Sequence, residues 1–115
     1  MLDAIRNVGR KTITVSDLQK LDHTTGGDLF VDVREQWEWD SGHLDFFVHI
    51  PLSLIPEHIP EFKKYARVFF ICRSGGRSGT ACDMLQKSGH ASAYNVLGGM
   101  LAMATQNAAK NPPLT

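Results

Sequence analysis

The sequence has no net charge, few cysteines and no long apolar run, and each absence excludes a class of protein. Its 115 residues include twelve basic and twelve acidic side chains, so the formal net charge is zero. A balanced chain offers no general attraction for nucleic acid or an anionic membrane, and we predict neither as a partner. Any attraction for anions must therefore be local.

Signals for membrane insertion and secretion are also missing. No stretch approaches the roughly 18 to 20 apolar residues of a membrane span, and residues 1–6 lack the apolar run of a signal peptide. The two cysteines, Cys72 and Cys82, flank a predicted loop and helix, a separation well beyond the ~7 Å between Cα atoms that a disulfide allows. Two free thiols are typical of a reducing compartment, so we predict a soluble cytoplasmic domain.

Metal-ligand spacing is equally absent. The histidines and cysteines form no short pattern such as Cys-x2-Cys or His-x3-His, and we therefore predict neither a metal nor another cofactor. The histidines concerned are His23, His43, His49, His58 and His90.

Composition and local patterns indicate a single α/β domain. Hydrophobic residues make up 43% of the chain and charged residues 21%, as in an average globular domain. Helical segments alternate with five predicted strands: Thr12–Val15, Leu29–Val33, Val48–Ile50, Val68–Ile71 and Ala93–Leu97. This alternation predicts a three-layer fold, with a mostly parallel sheet and helices on both faces. We expect one domain over residues 1–115, with a core at about 12–109 and a polar tail at 110–115.

Several helix boundaries can be predicted from local signals. Ser16 is the expected N-cap of a short helix after the first strand. Pro60 lies within the helical segment Ile55–Tyr65, which predicts two short pieces rather than one continuous helix. Further helices are expected over Ser78–Ser88 and from Met100 to about Ala109.

The loop after the predicted strand Val68–Ile71 has a composition suited to binding an anion. It begins at Cys72, contains Gly75 and Gly76, and ends at Arg77 and Ser78, where a helix starts. Glycines permit positive φ, so successive N–H groups can turn inward and form a concave nest. The helix N-terminus adds unpaired N–H donors and the positive end of its dipole.

A cysteine at the start of such a loop should ionise easily. The amides of residues 73–78 are predicted to stabilise the Cys72 thiolate, with Arg77 orienting the loop and the negative end of the substrate. Arg73 would add charge at the rim. These properties suit a nucleophile in covalent catalysis. The plainer alternative is a glycine-rich turn whose cysteine merely packs.

At this point the chain resembles the rhodanese domain, a sulfurtransferase family, over about residues 12–105. Four segments in the expected order carry the resemblance. They are Asp32-Val33-Arg34-Glu35 with Glu38, Gly42-His43 leading to Ile50-Pro51-Leu52, the Cys72–Ser78 loop, and Gly98-Gly99-Met100.

The resemblance implies a five-stranded sheet and a persulfide on Cys72 during turnover, with Ser74 among the loop residues that bind substrate. Rhodanese loops run six residues from cysteine to arginine, and Cys72 to Arg77 has that length. Related cysteine phosphatases and arsenate reductases use a loop one residue longer, which better fits a tetrahedral oxyanion. The loop length therefore favours sulfur over phosphorus chemistry.

The chain departs from the family at two places. Many relatives carry a Pro-Gly-Ala-like turn where this sequence has residues 44–49, and Phe46 and Phe47 are expected either to cover the core or to line an entrance. A tryptophan common in the family is replaced by Met103, which we interpret as repacking because methionine can fill an aromatic's space.

The remaining polar and aromatic residues receive structural or supporting roles. The resemblance suggests that Asp32 and Glu38 hold the active-site region through arginine contacts, although ordinary turn carboxylates remain the alternative. Arg34 is expected to pair with an acid. A structural role is favoured over general-base chemistry for His43, and Cys82 is expected to face the core.

Trp37 and Trp39 could form a partner or substrate surface, although aromatic packing is the commoner outcome. Together the residues predict a sulfurtransferase that moves sulfane sulfur from a donor such as thiosulfate to cyanide or a thiol. The alternatives are a module that carries a persulfide to a thiol-bearing protein and, less favoured, a phosphatase or arsenate reductase. The physiological donor and acceptor and the oligomeric state stay open.

Overall fold

The computed structural model describes residues 11–24 and 26–110, with side chains described as far as residue 106. Five strands are present: β1 (Lys11–Ile13), β2 (Asp28–Asp32), β3 (Val48–His49), β4 (Arg67–Ile71) and β5 (Ala93–Val96). The α-helices are α1 (Val15–Lys20), α2 (Gln36–Asp40), α3 (Ile55–Phe62), α4 (Gly76–Lys87) and α5 (Gly99–Lys110), and a 3-10 turn at Leu52–Leu54 precedes α3. The N-terminal segment and residues 111–115 of the predicted tail lie outside the described residues.

The strands form one parallel sheet in the order β1-β5-β4-β2-β3. The predicted α/β fold with a five-stranded sheet is therefore confirmed. β4 lies at the centre, between β2 and β5, and Phe70 near its end pairs with Val31 on one side and Asn95 on the other. Because all strands are parallel, their carboxyl ends share one edge of the sheet, where α/β proteins commonly bind ligands.

Alternate residues of β4 divide the core into two layers. Val68, Phe70 and Cys72 face a cluster that includes α3 and α4, whereas Phe69 and Ile71 face a cluster that includes α1 and α5. A strand buried on both faces explains the nearly continuous apolar run in its sequence. Cys72 therefore continues the row of β4 side chains formed by Val68 and Phe70, and it lies on the side of the sheet on which α4 packs.

Helix α1 begins two residues earlier than a cap at Ser16 would allow, so that prediction is wrong. Thr14 is the N-cap, and its Oγ1 accepts a hydrogen bond from the amide N of Asp17 at 3.1 Å. The choice of Thr14 places Asp17 in the first turn, where a carboxylate interacts favourably with the helix dipole.

Pro60 does not divide the α3 segment, contrary to the sequence prediction. Helix α3 runs from Ile55 to Phe62 with Pro60 inside it. Proline removes one N–H, whose acceptor would be the carbonyl of Pro56. Both prolines are exposed, so water can satisfy that carbonyl, and burial of Ile55 and Phe62 against the sheet holds the helix together.

The unusual aromatic segment packs in the core and does not line an entrance. Phe47 is 4% exposed, and Phe46 stacks on the ring of His23 and meets the edge of Phe30. Met103 is 2% exposed in the same layer, as expected for repacking of an aromatic position.

No helix among the described residues is both long enough and apolar enough to cross a membrane.

Candidate active site around Cys72

The loop at Cys72 is shaped by a left-handed turn between β4 and α4. Gly75 has a φ of +113°, a conformation that side chains with a Cβ rarely adopt, and it forms the N-cap of α4. The turn reverses the chain directly after the buried strand. The first residues of a twelve-residue helix therefore lie beside the Cys72 sulfur.

Two hydrogen-bond donors lie close to the buried sulfur. The amide N of Gly75 is 3.0 Å from Cys72 Sγ, and Ser78 Oγ is 3.3 Å from it. Cys72 is 1% exposed and Ser78 is fully buried, so little water competes for these contacts. Neither Cys72 nor Cys82 forms a disulfide, and Cys82 lies in the core layer beneath α4, as predicted.

The surroundings of Cys72 favour its ionised form. Burial alone would raise the pKa of the thiol. Hydrogen bonds from the Ser78 hydroxyl and from the amides of Ser78, Gly75 and Ser74 outweigh that effect, so the pKa of Cys72 lies below its ordinary value. The amides of Ser74, Gly75 and Ser78 thus favour the thiolate, and the amide of Gly75 lies at hydrogen-bond distance from the sulfur.

Arg77 is held by an acid on another element. Its Nη1 and Nη2 donate to the two carboxylate oxygens of Glu38 in α2, at 2.6 and 2.9 Å. The two-point contact raises the pKa of Arg77 and fixes its plane. Arg77 therefore anchors α4 to α2, and its charge toward a substrate is largely offset by Glu38.

Glu38 depends on a second buried ion pair behind it. Arg34 donates from Nε and Nη2 to the carboxylate of Asp32, and from Nη1 to the carbonyl of Glu38 at 3.3 Å. Nη2 of Arg34 also donates to the carbonyl of Gly42 at 2.8 Å. Arg34 thus connects the end of β2 to the middle of α2 and to the turn after its C-terminus, and Asp32, Arg34 and Glu38 make acid–arginine contacts of the kind that the sequence suggested.

The Glu38–Arg77 pair should make stability depend on acid pH. The hydrogen bond from Arg77 lowers the pKa of Glu38 from 4.5 to about 2, against the opposing effect of burial. Because the pKa of Glu38 is lower in the folded state, the pair stabilises the folded protein fully at pH values above the unfolded-state pKa of 4.5. This contribution is lost as the pH falls toward about 2. We expect Glu38→Gln to lower the melting temperature at neutral pH, with the difference from the parent shrinking below about pH 4.5.

Thermal melting of both proteins across this pH range checks the expectation. Glu57→Gln, which changes an exposed acid in the first turn of α3, is the matched control and should show no such convergence. A melting difference that stays constant down to pH 2 would contradict the assigned pair.

Helix α5 closes the other side of the loop. The amides of Met100 and Leu101 donate to the carbonyls of Cys72 and Arg73, at 2.9 and 3.0 Å. Gly99 has a φ of +55°, and a Cβ there would overlap the carbonyl oxygen of Cys72. The Gly-Gly-Met segment therefore binds the backbone of Cys72 itself, a role that the sequence did not indicate.

An open groove of about 650 Å³ adjoins the loop. It is bordered by Arg34, Glu35, Trp37, Glu38, Ser41, Arg73, Arg77, Met100 and Leu101. Trp37 is 70% exposed there, whereas Trp39 stacks on His43 and His49. The Arg73 side chain is exposed, and among the described residues it makes no ion pair.

The other predicted residues within the described part of the chain make no hydrogen bond to the Cys72 sulfur through their side chains. Gly76 starts α4 with open space where a side chain would lie, and Ser74 is exposed at the rim. His43 hydrogen-bonds through Nδ1 to the carbonyl of Trp39 and stacks on its indole, which fits the structural role favoured above. No cluster of potential metal ligands occurs among the described residues.

Sequence reasoning missed Asn95. This residue lies in β5, is 7% exposed, and contacts both Gly75 and Ser78 through its side chain. Its sequence signal was available, because an amide in the otherwise apolar strand Ala93–Val96 requires a buried hydrogen-bonding partner.

The fold and the loop together define a class: an α/β protein with a candidate cysteine nucleophile at the carboxyl end of its central parallel strand. Comparison with known families makes the class specific. The model of the rhodanese-like domain matches residues 14–106, and the chain belongs to this family.

Individual relatives agree with the family assignment. The chain is 40% identical over 81 residues to "Putative sulfurtransferase YtwF" of Bacillus subtilis, covering 70% of this chain and 78% of the relative. It is 34% identical over 82 residues to "Putative sulfur carrier protein YrkF" of the same organism, covering 71% of this chain and 44% of that longer protein. A solved rhodanese-like domain protein from Staphylococcus aureus superposes with a TM-score of 0.72 and 32% identity, covering 80% of this chain and 89% of that one.

Proposed function

We propose that the protein transfers sulfane sulfur through a persulfide on Cys72. The observation that carries the proposal is the Cys72 sulfur itself, which is buried and receives hydrogen bonds from Gly75 and Ser78. Such donors stabilise a thiolate and would equally stabilise the negative charge of a persulfide. Membership of the rhodanese-like family and similarity to a protein named a sulfurtransferase support sulfur transfer as the general activity.

The reaction divides into two displacements. The Cys72 thiolate attacks the outer sulfur of thiosulfate, a new S–S bond forms, and the old S–S bond breaks so that sulfite leaves with its electron pair. Cyanide or a thiolate then attacks the terminal sulfur of the persulfide. The S–S bond on Cys72 breaks, the acceptor keeps the sulfur, and the Cys72 thiolate is regenerated.

The loop length supports sulfur chemistry over phosphoryl transfer. The loop from Cys72 to Arg77 is six residues long, counting both ends, which is the length found in rhodanese loops. In addition, Arg77 is hydrogen-bonded to Glu38. A phosphatase needs that arginine's charge for the equatorial oxygens of the transferred group.

Two measurements test the proposal on the intact protein. Incubation with thiosulfate should add the mass of one sulfur atom at Cys72, and cyanide should then remove it while thiocyanate accumulates over many turnovers. Hydrolysis of a phosphate ester without any sulfur gain would overturn the proposal.

A second candidate function is delivery of the persulfide to a partner protein. The groove beside the loop has a volume of about 650 Å³, far more than an inorganic donor occupies, and it carries the exposed indole of Trp37. Exposed tryptophans beside a cationic side chain are typical of protein-binding hot spots. The relative YrkF, whose name describes a sulfur carrier, is consistent with this alternative.

Trp37→Ala distinguishes the two functions. If a protein acceptor docks in the groove, the variant should slow sulfur transfer to a reduced protein dithiol such as thioredoxin by roughly tenfold, while turnover with cyanide stays close to the parent. Initial rates with both acceptors provide the measurement. Leu54→Ala removes another exposed apolar side chain, outside the groove, and should change neither rate. Unchanged rates with both acceptors in Trp37→Ala would argue against docking at Trp37.

A further inference from the structure

The amide of Asn95 is used at both of its ends. Nδ2 donates to the carbonyl of Gly75 at 3.0 Å, and Oδ1 accepts from Ser78 Oγ at 2.6 Å. Gly75 is the left-handed residue of the loop, and Ser78 is the residue whose hydroxyl touches the Cys72 sulfur. One buried side chain of β5 therefore contacts both the residue that shapes the loop and the residue whose hydroxyl lies beside the sulfur.

The orientation of this amide is determined by its partners. The Gly75 carbonyl can only accept a hydrogen bond, so the nitrogen of Asn95 must face it and the oxygen must face Ser78. Since Oδ1 is an acceptor, the Ser78 hydroxyl must donate to it. The hydroxyl carries a single proton, and at 2.6 Å the contact with Asn95 is much shorter than the 3.3 Å contact with Cys72 Sγ.

We propose that Asn95 is a positioning residue for the Ser78 hydroxyl. While Cys72 is a thiol, Asn95 accepts the hydrogen bond from Ser78; when Cys72 ionises, the Ser78 hydroxyl donates its hydrogen bond to the sulfur instead. In the thiol form, the S–H donates to a lone pair of Ser78 Oγ. When a solvent base takes the thiol proton, the Ser78 O–H rotates about its C–O bond and donates to the sulfur. No covalent bond other than S–H changes, and Asn95 Oδ1 is left without the hydrogen bond from Ser78.

The consequence is a competition for one proton. Stabilisation of the thiolate by Ser78 costs the hydrogen bond to Asn95, whereas the amide of Gly75 donates to the sulfur at no such cost. Arg77 has an electrostatic interaction with Cys72, and Glu38 offsets the charge of Arg77. The importance for sulfur transfer rests on the proposed function, but the competition itself concerns only the thiol.

The experiment measures the pKa of Cys72 from the pH dependence of its alkylation by iodoacetamide, followed by peptide mass spectrometry. Asn95→Leu has a similar volume and no acceptor, so Ser78 is free to donate to the sulfur. The pKa of Cys72 should fall by roughly 0.5 to 1 pH unit, the equivalent of one neutral hydrogen bond. Asn95→Asp keeps the acceptor and adds negative charge, so the pKa should rise.

The Ser78→Ala background separates this role from a merely structural one. Without the hydroxyl, Asn95→Leu should no longer lower the pKa of Cys72, and the rise in Asn95→Asp should be smaller. Tyr94→Phe, the neighbouring position of β5, is the control and should leave the pKa unchanged. Thermal melting confirms that each variant is folded. If Asn95→Leu does not fold, the comparison of Asn95→Asp with and without Ser78→Ala is sufficient.

Equal shifts with and without Ser78, or a rise in Asn95→Leu, would overturn the proposal. Because alkylation needs no sulfur donor, its outcome is independent of whether the protein forms a persulfide. Loss of persulfide formation with the predicted alkylation shifts intact would refute the proposed function and leave the role of Asn95 standing.

Discussion

Cys72→Ala is expected to abolish sulfur transfer. The substitution removes the atom that we propose receives the donor's sulfur, and the neighbouring Ser78 cannot replace it, because it offers a hydroxyl rather than a thiolate. Turnover of thiosulfate with cyanide should fall by several orders of magnitude to the uncatalysed background, and the mass gain of one sulfur atom should disappear.

Cys82→Ala is the matched control. Cys82 is also buried and forms no disulfide, but it packs in the core layer under α4, outside the loop. Its substitution should retain the mass gain and most of the turnover at a modest cost in stability. Residual thiosulfate:cyanide activity in Cys72→Ala above that of the buffer would refute Cys72 as the nucleophile.

Gly99→Ala is expected to lower both stability and activity strongly, although Gly99 lies outside the loop. The new methyl group would overlap the carbonyl oxygen of Cys72 and crowd that of Arg73, and the residue has a φ of +55°. Left-handed strain and overpacking each cost about 1 to 3 kcal/mol, so the free energy of unfolding should fall by about 3 kcal/mol or more. Relief of the clash must move the loop, so sulfur loading should fall as well.

Gly27→Ala tests whether any glycine substitution would do the same. Gly27 lies before β2, and a Cβ there meets nothing within 4 Å. Denaturant unfolding and sulfur loading of this variant should match the parent. Parent-like behaviour of Gly99→Ala would show that the close approach of α5 to the loop is not needed.

The sequence predicted the sheet and the loop because their signals are local and strong. The apolar run before Cys72 identifies a strand buried on both faces, and glycines at Gly75 and Gly76 mark the turn into a helix. Resemblance to the rhodanese family added the acid–arginine contacts around Glu38. These features follow from residue type and order alone.

The missed features depend on contacts between distant segments. Thr14 and Ser16 are both good N-caps, and only the backbone direction after β1 decides between them. Pro60 is compatible with a helix because burial of Ile55 and Phe62 outweighs one lost hydrogen bond. Asn95 is 17 positions from Ser78 in sequence, so their contact exists only once β5 lies beside β4.

The hydrogen bonds from α5 to the loop imply an order of assembly during synthesis. The carbonyls of Cys72 and Arg73 are bound by the amides of Met100 and Leu101, and β5 enters the sheet between β1 and β4. When Cys72 has left the ribosome and residues 93–101 have not, the nascent chain lacks both the pairing of β4 with β5 and the hydrogen bonds from α5 to the loop. Its cysteine would behave as an ordinary thiol of an unfinished sheet, so the reactive form arises only when the later segment has been made.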